Sequence, residues 1–172
     1  MKIIGNVFLI LLIINNNGFL FSACFLNKNN EIFILTSNSN IGINENIKAF
    51  DLKGQKIKEI KNSNEPTSYI DTYYDIKLSK YYIVTGNLFF SQSYDYVENN
   101  IYRKYKENID YDNSYIIIMN MDKIIKLVIS CSDGNIRIFN FHSGLLLNKI
   151  EIINKYLYEM CLYNDKYLLV GL

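Results

Sequence analysis

An all-β array of repeated four-stranded units is the fold class this sequence predicts, on three observations. The 172 residues include 15 Tyr, 10 Phe and a single Pro, and aromatic and β-branched side chains fit a pleated, half-buried surface. An aromatic followed by Asp or Asn returns at a regular interval: Phe50-Asp51, Tyr94-Asp95 and Phe139-Asn140 are spaced by 44 and 45 residues. Short apolar stretches are separated by clusters of Asn, Asp, Ser and Gly, the residue types that supply turns.

The elements follow in order. Residues 1–18 form an apolar segment in which Lys2 precedes a run from Val7 to Ile14. The run is shorter than the ~20 residues a spanning helix needs but suits the h-region of a signal peptide. The competing reading is a buried strand, the remnant of an earlier unit. Phe21-Ser22-Ala23-Cys24 is similar to a bacterial lipobox with Phe in its first place, and cleavage there would remove part of the first inner strand.

Residues 19–172 divide into three units and part of a fourth, at about 19–61, 68–106, 114–153 and 156–172. Each opens with an apolar stretch: Phe19 to Leu26, Tyr69 to Tyr74, Tyr115 to Met119 and Leu157 to Tyr163. The second strand holds an apolar pair and then a small residue, as in Ile34-Leu35-Thr36, Ile83-Val84-Thr85, Val128-Ile129-Ser130 and Leu169-Val170-Gly171. The third carries the aromatic landmark and ends in a turn. The fourth is Lys56 to Ile60, Ile101 to Tyr105 or Leu146 to Ile150. The hydroxyl and the aromatic lie 9 residues apart in Thr85–Tyr94 and Ser130–Phe139, but 14 apart in Thr36–Phe50. An insertion of Asn, Ser and Gly from Asn38 to Asn44 accounts for the difference and belongs in a loop. The polar segments Asn62 to Thr67 and Glu107 to Asn113 mark unit boundaries. Apolar residues do not recur at the spacing that helical repeats require. Four strands in ~40–45 residues is the period of a β-propeller blade.

At this point the chain resembles the WD40 repeat family. The match is longest from Ser130 to Asn140, with Ser143-Gly144 after it: a small hydroxyl residue, an Asp-Gly turn (Asp133-Gly134), alternating apolar residues, an aromatic with Asn, then a turn closed by Gly144. Thr36, Phe50 and Asp51, and Thr85, Tyr94 and Asp95, mark the weaker copies. Two departures have consequences. Trp is absent, so Phe50, Tyr94 and Phe139 stand in its place, and the only His, His142, falls in a hairpin turn. The family's Trp–Ser/Thr–His–Asp network cannot form, since Phe donates no side-chain hydrogen bond, and the blades are expected to rely on apolar packing. About three and a half blades also cannot close a ring that takes ~4–8. The chain is then a truncation, a partner for another copy of itself, or an open array, and its end within a unit favours truncation.

Charge and motifs narrow the function. The formal net charge is +1, so no large one-signed field attracts nucleic acid or an acidic membrane surface, and neither is an expected partner. Cys24, Cys131 and Cys161 are odd in number and form no CxxC, which argues against a disulfide framework and a zinc site. Each is read as a small hydrophobe. One His removes most Ser–His–Asp and Cys–His schemes, and His142 beside Ser143 is read as a turn pair. No phosphate-binding Gly-rich loop and no HExxH occurs, and no cofactor is expected. The carboxylates flanking Tyr residues (Asp71 and Asp75, Asp110 and Asp112) and the stretch Arg103-Lys104-Tyr105-Lys106 are read as solvated. The chain is expected not to be an enzyme. The resemblance implies a non-catalytic protein-interaction scaffold, a fragment of a larger propeller, that binds a protein or peptide or associates with itself to complete a ring. A cytoplasmic location is expected. The alternatives are a secreted or membrane-anchored β domain directed by residues 1–23, and a truncated fragment with no function of its own.

Overall fold

A computed structural model describes residues 19–39, 46–61, 67–87, 90–107, 113–121, 124–152, 157, 159–164 and 167–171. The readings made for residues 1–18, for most of the insertion, and for Asp110 and Asp112 lie outside the described residues. Every regular element among them is a strand. The first sheet holds β1 (Phe19–Lys28), β2 (Glu31–Ser39), β3 (Asn46–Phe50) and β4 (Lys56–Lys61) in sequence order, all antiparallel. The second repeats this with β5 (Thr67–Asp75), β6 (Lys80–Asn87), β7 (Ser91–Asp95) and β8 (Asn100–Tyr105). The third does so with β9 (Asn113–Met121), β10 (Ile124–Cys131), β11 (Asn135–Asn140) and β12 (Leu146–Glu151). A hairpin of β13 (Glu159–Tyr163) and β14 (Tyr167–Gly171) follows. β5 and β9 begin at Thr67 and Asn113, residues that the sequence reading left in linkers.

The first strand of each sheet carries the array: β1 packs beside β5, β5 beside β9 and β9 beside β13. The sheets therefore stand side by side as blades, about three and a half of them, and the ring they form is not closed.

Cross-strand register explains why the sheets stack. In the second sheet Thr72, Ile83 and Tyr94 form one row across three strands. Ile83 and Tyr94 are fully buried there, in a cluster with Leu26, Leu35, Ile47 and Ile60 of the first sheet. The corresponding row of the third sheet is Ile118, Leu127 and Phe139. It packs into the next cluster with Tyr82, Val84 and Tyr105 of the second sheet. Side chains alternate faces along a strand, so the neighbouring residues face the following blade. Ile117 and Val128 do so in the third sheet, meeting Met160, Leu162, Leu168 and Val170 of the hairpin. Tyr94 and Phe139 thus serve as wedges between blades, a role that needs size and an apolar ring but no indole N–H, and Phe50 is buried at the equivalent position of the first sheet.

The Asn-rich turns have a backbone reason. Asn29 and Asn30 alone link β1 to β2, and both have positive φ (53° and 65°). A two-residue hairpin needs that conformation at both positions to match strand twist, and Asn tolerates it better than most residues. Gly144 combines φ of 75° with a close approach: a Cβ there would lie 2.9 Å from Arg103 Cδ and 3.1 Å from the Lys104 carbonyl. The turn of one blade thereby lies against the outer strand of the blade before it.

Candidate binding face at the turns

In an antiparallel four-stranded meander, the first and third connections lie at one end of the sheet. The aromatic landmark is followed at that end by a side chain that holds the turn. The Asp51 carboxylate accepts the N–H groups of Lys53 (2.9 Å) and Gln55 (2.8 Å). Asp95 accepts those of Val97 (2.9 Å) and Glu98 (3.0 Å). Asn140 Oδ1 accepts those of His142 (3.0 Å) and Ser143 (2.8 Å). A short acceptor two residues before the bend satisfies backbone donors that no ladder reaches, which is why Asp and Asn alternate at this position. Asp75 does the same between β5 and β6, accepting from Lys77 (2.9 Å) and Leu78 (3.1 Å).

Three turns are tied together. Lys80 Nζ lies 2.8 Å from both Asp95 and Glu98, joining the β5–β6 turn to the β7–β8 turn. These hydrogen bonds raise the Lys80 pKa. Burial pushes the Asp95 carboxyl up, but Lys80 and the turn N–H groups outweigh it and leave it below its ordinary value. His142 Nε2 lies 3.1 Å from the buried Asp75 Oδ2, which joins the second and third blades. Its Nδ1 is 3.0 Å from the Tyr102 hydroxyl. His142 is therefore a bridge between blades, and the expected pairing with Ser143 is replaced: the Ser143 hydroxyl accepts the Leu145 N–H instead (3.3 Å). The solvated reading of Asp75 is corrected by its burial, and that of Asp71 by the burial that raises its carboxyl pKa.

On this framework sit apolar side chains that turns seldom carry. Ile76 is 79% exposed, Leu145 67% and Val97 61%, with Leu78 exposed beside them. Turns normally place polar residues in water, and here the Lys80 ion pairs join the two turns that carry Ile76, Leu78 and Val97.

The opposite end holds the remaining repeat residues. Thr36, Thr85 and Ser130 are buried, and their hydroxyls have no hydrogen-bond partner among the described residues. The Asp133 carboxylate takes both guanidinium nitrogens of the fully buried Arg137 (2.9 and 2.6 Å), while Glu107 takes its Nε (2.5 Å). Gly134 has φ of 78° in the same turn. Tyr105 is fully buried, correcting the solvated reading of its stretch, although Arg103, Lys104 and Lys106 are exposed. Its hydroxyl donates to the Phe141 carbonyl (2.7 Å) and lies 2.9 Å from Ser93 Oγ. Polar pins between blades therefore exist, built from Asp75, Tyr102, Tyr105, Glu107 and Arg137, none of which the repeat pattern marks. Of the cysteines, burial pushes the Cys24 and Cys131 thiols up to about 12. Cys161 is exposed, contrary to the buried role expected for it.

No family model matches the chain, and no curated protein does. Among solved structures it is similar to the computationally designed protein Ika4, with TM-score 0.65 and 13% identity over 91% of this chain and 92% of that one. It is also similar to the computationally designed Ika8, with TM-score 0.63 and 13% identity over 88% of this chain, which spans 45% of the longer one. At that identity the likeness is one of fold.

Proposed function

We propose that the chain is a protein-interaction scaffold of the WD40 type, without a catalytic role, that binds a protein or peptide on the face formed by these turns. The observation that carries the reading is the set of exposed apolar side chains, Ile76, Leu78, Val97 and Leu145, on turns capped by Asp75, Asp95 and Asn140 and, for the first three, joined by the Lys80 ion pairs. Rigid display lowers the ordering cost of binding, and exposed apolar clusters rimmed by charge mark interaction sites. The repeated aromatic–Asp/Asn turns favour the WD40 assignment. The partner's chemistry follows: apolar side chains to cover Ile76 and Leu145, with charges complementary to Lys77, Lys80 and Glu98.

A displayed random-peptide library panned on the immobilised chain tests this. Enriched peptides should contain apolar anchors and lose about tenfold or more in affinity to a chain carrying Ile76→Ser and Leu145→Ser, since each buried aliphatic side chain contributes about 1.5–3 kcal/mol. Failure of the folded chain to enrich any peptide, or equal binding by the double variant, would refute the proposal.

A further inference from the structure

The outer edge of the second blade carries positive charge that no acidic side chain offsets. β8 pairs with β7 alone, so one row of its N–H and C=O groups is turned away from the sheet. Arg103 and Lys104 are consecutive on it, opposite Ser93 and Gln92 of β7, and both are exposed. Among the described residues neither forms an ion pair; each lies on an aromatic ring instead. The Arg103 guanidinium is 5.6 Å from the centroid of the Tyr102 ring, and the Lys104 ammonium is 4.8 Å from that of Phe90. Consecutive side chains of a strand point to opposite faces, so the two cations flank the edge. The backbone of Gly144, in the third blade, packs against the stem of Arg103 and positions it.

The outer strands of the first and third blades differ. β4 contains Glu59, which pairs with Lys56. β12 contains Glu151, and its Lys149 lies 3.8 Å from Glu107. β8 contains no acidic residue. It also has an extra residue, Tyr102, between the pairs Ser93–Arg103 and Tyr94–Ile101. A bulge of this kind interrupts regular pairing, so the usable edge begins at Arg103. Cations on an edge deter pairing with a basic or neutral strand, and the same cations select an acidic one.

We infer that an extended peptide segment with two consecutive acidic residues adds to β8 as a fifth strand, one carboxylate meeting Arg103 and the next meeting Lys104. Consecutive residues of such a segment alternate sides as the two cations do. Backbone hydrogen bonds to the edge supply affinity, and the side-chain charges supply the choice of partner. A nucleic acid fits less well, because Glu98 and Glu107 bracket β8 and would face a continuous polyanion. A second copy of the chain fits less well too: β4, β8 and β12 contain no two consecutive acidic residues. The segment leaves Ile76, Leu78, Val97 and Leu145 untouched, so the inference does not rest on the scaffold reading.

Fluorescence anisotropy on the full chain tests it with a labelled peptide of alternating Val and Thr interrupted by two consecutive Glu. The comparison peptide carries two Gln in their place. The Glu peptide should bind about fivefold or more tightly at low salt, and the advantage should shrink as salt screens the pairs. Arg103→Gln and Lys104→Gln change exposed side chains, so each should keep the melting transition. Each should weaken the Glu peptide about two- to fivefold and leave the Gln peptide unchanged. N-methylation of alternate peptide amides should abolish binding, since it removes the donors that strand addition needs. A chain carrying Ile76→Ser and Leu145→Ser should bind the Glu peptide as wild type does, which separates this site from the turn face. Equal affinity for the two peptides would overturn the inference, as would indifference to Arg103→Gln or to N-methylation. A single-stranded oligothymidylate that bound more tightly than the Glu peptide would overturn it in favour of nucleic acid. A wild-type dimer that Arg103→Gln dissociates would overturn it in favour of a second copy.

Discussion

Thr85→Val should make the protein more stable, although it removes a polar group from a sheet. Thr85 is fully buried in β6, opposite Ile70 and Gln92, and its Oγ1 has no hydrogen-bond partner among the described residues. A buried hydroxyl without a partner costs about 1–3 kcal/mol by mutational measures. Val has nearly the same shape, keeps the branched Cβ that suits a strand, and replaces the hydroxyl with a methyl group. The expected gain is about 1–2 kcal/mol. Thr36 and Ser130 hold equivalent positions in the other two sheets, with hydroxyls in the same condition. Thr36→Val and Ser130→Ala should act alike, and the three changes sit in separate sheets and should add. A triple variant gaining about 3 kcal/mol would melt roughly 6–12 °C higher, at 2–4 °C per kcal/mol for a chain of this size. Far-UV circular dichroism through a thermal scan and a urea titration reads the change. A Thr85→Val protein with a lower midpoint in both would refute the reasoning, for it would mean that the hydroxyl is bonded in solution.

Tyr105→Phe should destabilise by about 1–3 kcal/mol, because it leaves the Phe141 carbonyl and Ser93 without their partner in a buried junction; a urea midpoint unchanged from wild type would contradict that. Acid should weaken the fold through Asp133. Burial raises its pKa, but the Arg137 and Asn135 hydrogen bonds outweigh burial and bring it down to about 2. A carboxyl depressed in the folded state stabilises fully above its unfolded value of about 3.9 and loses that contribution as pH falls toward 2. Melting temperatures measured from pH 5 to 2 should fall, and Asp133→Asn should flatten that slope; an unaltered slope would show that the pair with Arg137 contributes nothing.

The parts legible in the sequence are those fixed by neighbours along the chain. Alternation and turn residues place strands because a pleat has a period of two and a hairpin needs left-handed backbone at set positions; Asn29-Asn30 and Gly144 show both. The aromatic landmarks were legible as a repeat for the same reason, since Phe50, Tyr94 and Phe139 recur at 44 and 45 residues. Partners across blades were not. Tyr102 and His142 are 40 residues apart, and Arg137 and Glu107 are 30 apart, and no local pattern records which blade face meets which. Asp75 looked solvated because a carboxylate in a turn usually is; its burial comes from the blade beside it. Cys161 looked buried because its stretch is apolar, yet its row faces outward while the alternate residues meet the third sheet. The one buried polar pair within reach of a local pattern was Asp133 and Arg137, four residues apart within a single blade.

The strict sequence order of strands within each sheet has a consequence for how the chain is made. Every strand pairs with the one before or after it, so each pairing closes only a short loop and costs little chain entropy. A ribosome releasing residues up to Lys61 has delivered everything the first sheet needs. Each later sheet arrives as a finished piece that finds its docking surface already formed, because one of its faces packs on the blade just completed. Assembly can thus keep pace with synthesis from the amino terminus onward, without waiting for any contact between distant parts of the chain.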